Sequence, residues 1–440
     1  MKSARLHRRG FATLAVFGVI IVAAVVLSML QSTAFSQAAA GRESLGRVRA
    51  YWAARGGVEA TLARLEYDTL NPDANDAFKV MDDMVDVAEG QFEGATYRIA
   101  TTEGKKEYLG PSDAHAKINI NRMTRDQLLV LEPFMTEDVA DSILDWIDSD
   151  DDPNPMGAET PYYLSLPNSY VARNGPMKSI AELELVAGVD PRDVRGEDWN
   201  LNGLLDPNED DGDASWPPDN ADGVLDRGWS GILTAESTDG GMGASGQPRL
   251  DLKTASESDI ADRIKADSTQ AKAIAAYLDA NASATMADFI RQNLSRLART
   301  QSGGSTTPVQ NLSKEQLALL VDECSIGAGA GTSQPGKLNI NTCAAETLQY
   351  LPEISPELAD AIVSERSARA DGFASVMDLM DVPGVTRQQM ATLYDLLCVR
   401  SNVYVVTCRG RDARTGLEVE MQATLDRSKV PVVITEVLVR

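Results

Sequence analysis

The chain opens with a short basic stretch, Met1 to Gly10, and then an uncharged run from Phe11 to Leu30 broken only by Thr13, Gly18 and Ser28. About 20 helical residues rising 1.5 Å each span roughly 30 Å of hydrocarbon, so this run predicts a membrane-crossing helix. A cleaved secretory signal is the competing reading: Ala38-Ala39-Ala40 could supply its cleavage site, but the apolar run is long for such a signal. Lys2, Arg5, Arg8 and Arg9 precede it and place the leader on the cytoplasmic side. The helix is expected to continue without proline to about Tyr67, with Val48, Tyr51, Trp52, Val58, Leu62 and Leu65 near helical spacing. Residues 86–103 alternate like a strand pair. The matching strands come only at the far end, at 402–408, 417–425 and 430–439, with Gly410 to Gly416 as a turn. A small sheet is therefore split by about 300 residues of different character.

That insert is internally repetitive. Lys117-Ile-Asn-Ile-Asn121 is followed by Leu128 and Leu131, and Lys337-Leu-Asn-Ile-Asn341 by Leu348 and Leu351 at the same offsets. Arg249-Leu-Asp-Leu-Lys253 is a weaker third copy. Each copy opens a series of short amphipathic helices, with Asn or Thr placed to cap free backbone N–H groups. Residues 238–248, 302–307 and 326–336, rich in Gly, Ser and Thr, read as linkers or disordered loops.

Composition narrows the function. With 41 basic and 65 acidic residues the net charge is −24, a field that repels phosphate backbones and attracts cations, so nucleic acid is not expected as a partner. The two histidines, His7 and His115, come with no nucleophile motif, so no catalytic residues are assigned and an enzyme is not expected. Cys324, Cys343, Cys398 and Cys408 form no C-x-x-C pair, which argues against zinc. A location outside the cytoplasm permits disulfides, and the spacing leaves their connectivity open.

The clearest chemistry lies in Asp198-Trp-Asn200-Leu-Asn202-Gly203-Leu204-Leu-Asp206-Pro-Asn-Glu209. Oxygen side chains fall at loop positions 1, 3, 5, 9 and 12, Gly at 6 permits the sharp turn, and Leu204 at 7 offers its carbonyl, the pattern of a structural Ca2+ loop. Asn220, Asp222, Gly223 and Asp226 repeat the order more weakly, with Pro218 and Trp229 at the end positions. Asp148, Asp150, Asp152 and Glu159 form a second candidate set, whose spacing alone does not decide between a metal site and a solvated loop.

Three sets of residues carry family resemblances. The junction Arg9-Gly10-Phe11, a basic leader ending in Gly before an aromatic and an apolar helix, resembles a type IV prepilin. That resemblance implies cleavage after Gly10 by prepilin peptidase and methylation of Phe11. The family's usual Glu at the fifth mature position is Ala15 here. The order Asp145-Trp146-Ile147-Asp148 to Asp152-Pro153, Gly157-Ala158-Glu159, Tyr162-Tyr163, Asn174-Gly175-Pro176 and Val186-Ala187-Gly188-Val189 resembles the pseudopilin K family of type II secretion, as does Ala53-Ala54-Arg55-Gly56-Gly57. Small residues there would let a sheet pack closely on the helix. Calcium at Asp148, Asp150, Asp152 and Glu159 is implied by the same resemblance. The segments 351–366 and 373–385 resemble helix-hairpin-helix repeats, yet the hairpins Glu132-Pro-Phe-Met and Pro352-Glu-Ile-Ser lack the glycines that let backbone amides reach a phosphate.

The expected fold is α+β: a long N-terminal transmembrane helix and a small pilin-like α/β domain with a large, mainly helical insertion. Its expected divisions are a leader at 1–10, the membrane segment at 11–30, the first part of the pilin-like domain at 31–113, a helix-hairpin-helix-like insert at 114–195, an acidic calcium-loop expansion with a second helical segment at 196–335, a further helix-hairpin-helix-like repeat at 336–398 and C-terminal strands at 399–440. The resemblance implies a non-enzymatic subunit at the tip of a secretion pseudopilus, single-pass in the inner membrane with its globular part in the periplasm. Its implied partners are minor pseudopilins I and J and the other pseudopilus subunits. A membrane-anchored helix-hairpin-helix DNA receptor of the competence type is the alternative.

Overall fold

A computed structural model describes residues 8–131, 135–301, 308–327 and 333–440. Helix α1 runs unbroken over Arg8–Leu70. Its part from Thr13 onward is long and apolar enough to cross a membrane, and the side chains from Leu14 to Leu30 are not covered by the rest of the fold. From about Ala50 the helix packs on a seven-stranded sheet. A short helix α2 (Lys79–Val85) leads into β1 (Glu89–Phe92), β2 (Ala95–Glu103), β3 (Lys106–Leu109) and β4 (Ser112–Asp113). The remaining strands are β5 (Val403–Asp412), β6 (Glu418–Asp426) and β7 (Val433–Val439).

The sheet order is β1-β2-β5-β6-β7, with β3 paired to β2 and β4 to β5. All these pairings are antiparallel, and Cys408 of β5 lies between Ile99 of β2 and Met421 of β6. The alternation read from the sequence puts Tyr404, Val406, Cys408, Met421, Ala423 and Leu425 into one core with Ala54, Val58 and Leu65 of α1. Strand β5 extends through Gly410 to Asp412, so the turn falls at 413–417 rather than at Gly410 to Gly416. Tertiary contact explains the shift, because the bare Gly410 backbone lies against Ala50. Gly57 does the same lower down, where a Cβ would come 2.6 Å from Cys408 Sγ.

The insert forms a second core of its own. Three two-residue parallel pairs mark its repeats: Ile118–Asn119 with Leu233–Thr234, Leu250–Asp251 with Cys324–Ser325, and Leu338–Asn339 with Leu397–Cys398. The weak third copy at Arg249 is thus a structural repeat. The first and last copies share their polar joints. Asn121 exchanges two hydrogen bonds with the Met177 backbone, at 2.7 and 3.0 Å, and Asn341 does so with Phe373, at 2.8 and 2.9 Å. Lys117 Nζ donates to Ser230 O at 2.5 Å and Lys337 Nζ to Tyr394 O at 3.1 Å, each three residues before the strand that closes its repeat. A lysine there places its charge on a free carbonyl at the end of a helical turn.

The stretch 238–248 is not a loose linker. Thr238–Asp239 pair with Gln334–Pro335, and Met242 bridges to Pro248. Residues 302–307 and most of the Gly-rich part of 326–336 fall outside the described residues. The four cysteines are free thiols, three of them buried. The first hairpin, Glu132 to Phe134, also lies outside the described residues. In the later one, Glu353 takes φ +64°, where the DNA-binding pattern has glycine.

Candidate metal centre

Helix α3 (Glu137–Ile147) carries Asp141 and Asp145 one turn apart on its inner side. Asp141 is neutralised by Arg125 at 2.5 Å. Among the described residues Asp145 has no such partner. Its carboxylate, with those of Asp148 just past the helix and Glu159 beyond the following loop, forms a group whose ligand oxygens lie within 4.8 Å of one another. Asp145 is 0% exposed and Glu159 3%.

Asp145 Oδ1 accepts from Asn154 N at 3.0 Å and Asn154 Nδ2 at 2.6 Å. Asp145 Oδ2, Asp148 Oδ1, both Glu159 oxygens and the nearby Asn174 Oδ1 are buried without a hydrogen-bond partner. Burial first, and then the charges of Asp145 and Asp148, push the Glu159 carboxyl up to about 7. Unpaired buried carboxylates of this kind are costly, and a cation between them removes the cost. An all-oxygen donor set suits a hard divalent ion. Gly157 backs directly onto Asp145, and a Cβ there would sit 2.7 Å from its Cγ.

Of the four residues singled out in this region, the structure brings together Asp148 and Glu159. Asp150 and Asp152 stay exposed on the loop, with Asp150 Oδ1 accepting from Asp152 N at 3.0 Å. The third carboxylate, Asp145, is not in that set, and in sequence it reads as the polar face of an amphipathic helix. The available signal was its place three residues before Asp148, which puts both on one side of the helix end.

The loop 198–209 is closed by hydrogen bonds to its own backbone. Asp198 accepts from Asn202 N at 2.9 Å and Gly203 N at 3.0 Å. Asn200 Oδ1 accepts from Asn202 N at 2.9 Å, and Asn202 Oδ1 from Leu204 N at 2.7 Å. Glu209 closes the ring, its two oxygens accepting from Trp199 N at 3.0 Å and Asp206 N at 3.1 Å. Leu201 and Gly203 take φ +56° and +71°. Burial pushes both Asp198 and Glu209 upward, Glu209 to about 7. Asp206 takes the side-chain amides of Asn200 and Asn202 on one oxygen and pairs with Arg409 of β5 through the other. The loop is thereby docked on the sheet, where Thr407 Oγ1 donates to Asn202 O at 2.8 Å and Gln422 Nε2 to Leu201 O at 3.0 Å.

The weaker loop repeats this geometry. Asn220 accepts from Asp222 N at 2.9 Å and Asp222 from Val224 N at 2.8 Å, with Ala221 and Gly223 at φ +52° and +73°. Its end positions, Pro218 and Trp229, are replaced from outside. Asp210 accepts from Gly223 N at 2.8 Å, as Asp198 does from Gly203. Glu197 accepts from Asp226 N at 3.2 Å, as Glu209 does from Asp206. Sequence spacing could not show these two substitutes, because they stand outside the loop they complete. At the N-terminus, Gly10 and Phe11 lie within α1.

Residues 114–196 match the family described as type II secretion system (T2SS), protein K, and residues 333–398 match a helix-hairpin-helix motif. No curated protein matches the chain significantly. Among solved structures, a chain of the GspK-GspI-GspJ complex from the type 2 secretion system of enterotoxigenic Escherichia coli resembles it with a TM-score of 0.46 and 14% identity, over 91% of this chain and 99% of that one. The segment similar to the protein K family of type II secretion, 114–196, contains the whole Asp145, Asp148 and Glu159 cluster, and the segment similar to a helix-hairpin-helix motif, 333–398, contains the last repeat.

Proposed function

We propose that the chain is a non-enzymatic minor pseudopilin at the tip of a type II secretion pseudopilus. The observation that carries this reading is the joining of two features in one chain: an apolar helix that continues into a split antiparallel sheet, and a protein K segment inserted between the halves of that sheet. The apolar part of α1 anchors the subunit in the inner membrane, and the globular part stands in the periplasm. Minor pseudopilins I and J are the proposed partners. Ala15 suits a tip position. A carboxylate there would need a neighbour's N-terminal amine, and the last subunit has no neighbour above it, so the charge would be buried unpaired.

In this reading Ca2+ is structural. Asp145, Asp148 and Glu159 hold one ion. Asp198, Asn200, Asn202, Asp206, Glu209 and the Leu204 carbonyl frame a second site on the sheet, and Asn220, Asp222 and Asp226, completed by Asp210 and Glu197, frame a third. A DNA receptor is disfavoured by the net charge of −24 and by Glu353 at the hairpin.

The test is the N-terminal mass of the membrane-extracted protein. N-methylated Phe11 supports processing after Gly10 and the filament reading. An intact Met1 leaves a plain anchor, and cleavage near Ala40 removes the anchor; either outcome overturns the proposal.

A further inference from the structure

A cavity of about 130 Å³ lies where the end of α1, the segment 239–249, the start of the last repeat and the residues flanking β5 and β6 meet. Among the residues lining it, most polar groups are satisfied. Arg400 donates to Ala244 O at 2.9 Å and to Ala74 O at 2.5 Å, and Arg249 Nη1 to Asp239 Oδ2 at 3.0 Å. Asp113 accepts from Ser401 Oγ at 2.6 Å and Thr342 Oγ1 at 2.5 Å. Three buried atoms of the lining residues have no partner: Arg249 Nε, Arg427 Nη1 and His115 Nε2.

Their chemistry is specific. The two guanidinium groups only donate. His115 Nδ1 lies 2.9 Å from Lys337 O, which only accepts, so Nδ1 carries a proton, and in the neutral ring Nε2 then presents a lone pair. The lining thus leaves two charged donors and one acceptor unused. None of the lining carboxylates Asp68, Asp73, Asp76, Asp113, Asp239 and Asp322 has a buried oxygen left unpaired. A ligand that answers this set brings negatively charged oxygens for the arginines and one O–H for the imidazole.

We propose that this cavity binds a small oxyanion bearing an acidic O–H, of the hydrogenphosphate class, through Arg249, Arg427 and His115. Charge-assisted hydrogen bonds from guanidinium to such oxygens are among the strong ones. The O–H offered to His115 separates hydrogenphosphate from sulfate, which has none at neutral pH. The site is independent of the calcium sites and of the filament reading. Bound there, the anion ties the end of α1 to the last repeat and the C-terminal strands.

The experiment is calorimetric titration of the full chain in detergent, with inorganic phosphate and with sulfate, and with glycerol phosphate as the probe for an esterified source. Saturable binding of phosphate, with sulfate weaker by about tenfold, is expected. Tighter binding of glycerol phosphate, whose dianion carries no acidic O–H, than of phosphate would overturn the role given to His115 and with it the proposal. Arg427→Gln and Arg249→Gln should each weaken phosphate by about tenfold or more, while Arg192→Gln, at an exposed pair elsewhere, should not. No saturable heat up to about 10 mM phosphate, or equal binding of sulfate by the unaltered protein, overturns the proposal without any variant having to fold. Arg427→Lys, which keeps the charge, is the control for a variant that loses structure.

Discussion

Gly410 on β5 faces Ala50 on α1 so closely that a Cβ on Gly410 would overlap the Ala50 carbonyl and stand 2.6 Å from Ala54 N. The close approach lets Ala54, Val58 and Leu65 of the helix share one core with Val406, Met421 and Leu425 of the sheet. Neither obstructing atom is a movable side-chain end; both are helix backbone. Gly410→Ala should therefore cost about 1–3 kcal/mol by forcing helix and strand apart. Chemical unfolding of the full chain in detergent checks this, and an unchanged midpoint would show that the contact is looser than described.

The carboxylates of Asp145, Asp148 and Glu159 should make stability depend on a divalent cation. Chelation should lower the thermal midpoint of the wild-type protein. Asp145→Asn should weaken calcium binding by tenfold or more, and it should raise the midpoint of the metal-free protein by relieving repulsion. A calorimetric scan in which calcium and chelator give the same midpoint would remove the ion from this site.

Trp199 occupies position 2 of the loop 198–209, proposed as a calcium site, and packs edge-on to Trp216 at 5.9 Å between ring centroids. Terbium in the loop should therefore be excited through Trp199, and added calcium should quench that emission by displacement. Asp198→Asn should abolish the loop's share of the signal, and Asp145→Asn should leave it. Emission insensitive to Asp198→Asn would place terbium elsewhere.

Burial pushes the carboxyl of Asp322 up to about 7, with Ser375 and Arg400 opposing the shift. An unfolded Asp titrates near 3.9. Between these values the folded chain keeps a proton that the unfolded chain has released. Its contribution to stability is thus fully present below about pH 4 and is lost as pH rises toward 7. Asp322→Asn should flatten this part of the stability profile and raise the midpoint at pH 8. A profile unchanged between pH 4 and 7 would show Asp322 to be solvated.

The apolar run, the period-2 strands at both ends and the repeated Lys-x-Asn-Ile-Asn opening were legible because each is a local pattern with one physical meaning. An uncharged stretch of about 20 residues has few places to go but lipid or a core, and an alternating stretch must face a sheet one way. The order of oxygen side chains in 198–209 was readable for the same reason, since one turn supplies the backbone N–H groups from which they accept. Tertiary structure alone decided what distant segments share. It carried β5 through Gly410, because the missing side chain admits α1. It chose Asp145 over Asp150 and Asp152, because burial and unpaired oxygens are properties of a packed helix end rather than of spacing. It also completed the loop at 220–226 with Glu197 and Asp210, and left Arg249, Arg427 and His115 around one cavity. Hydrogen bonds and charges act through space over a few ångströms, and the chain order records that proximity only where the partners are also neighbours in sequence.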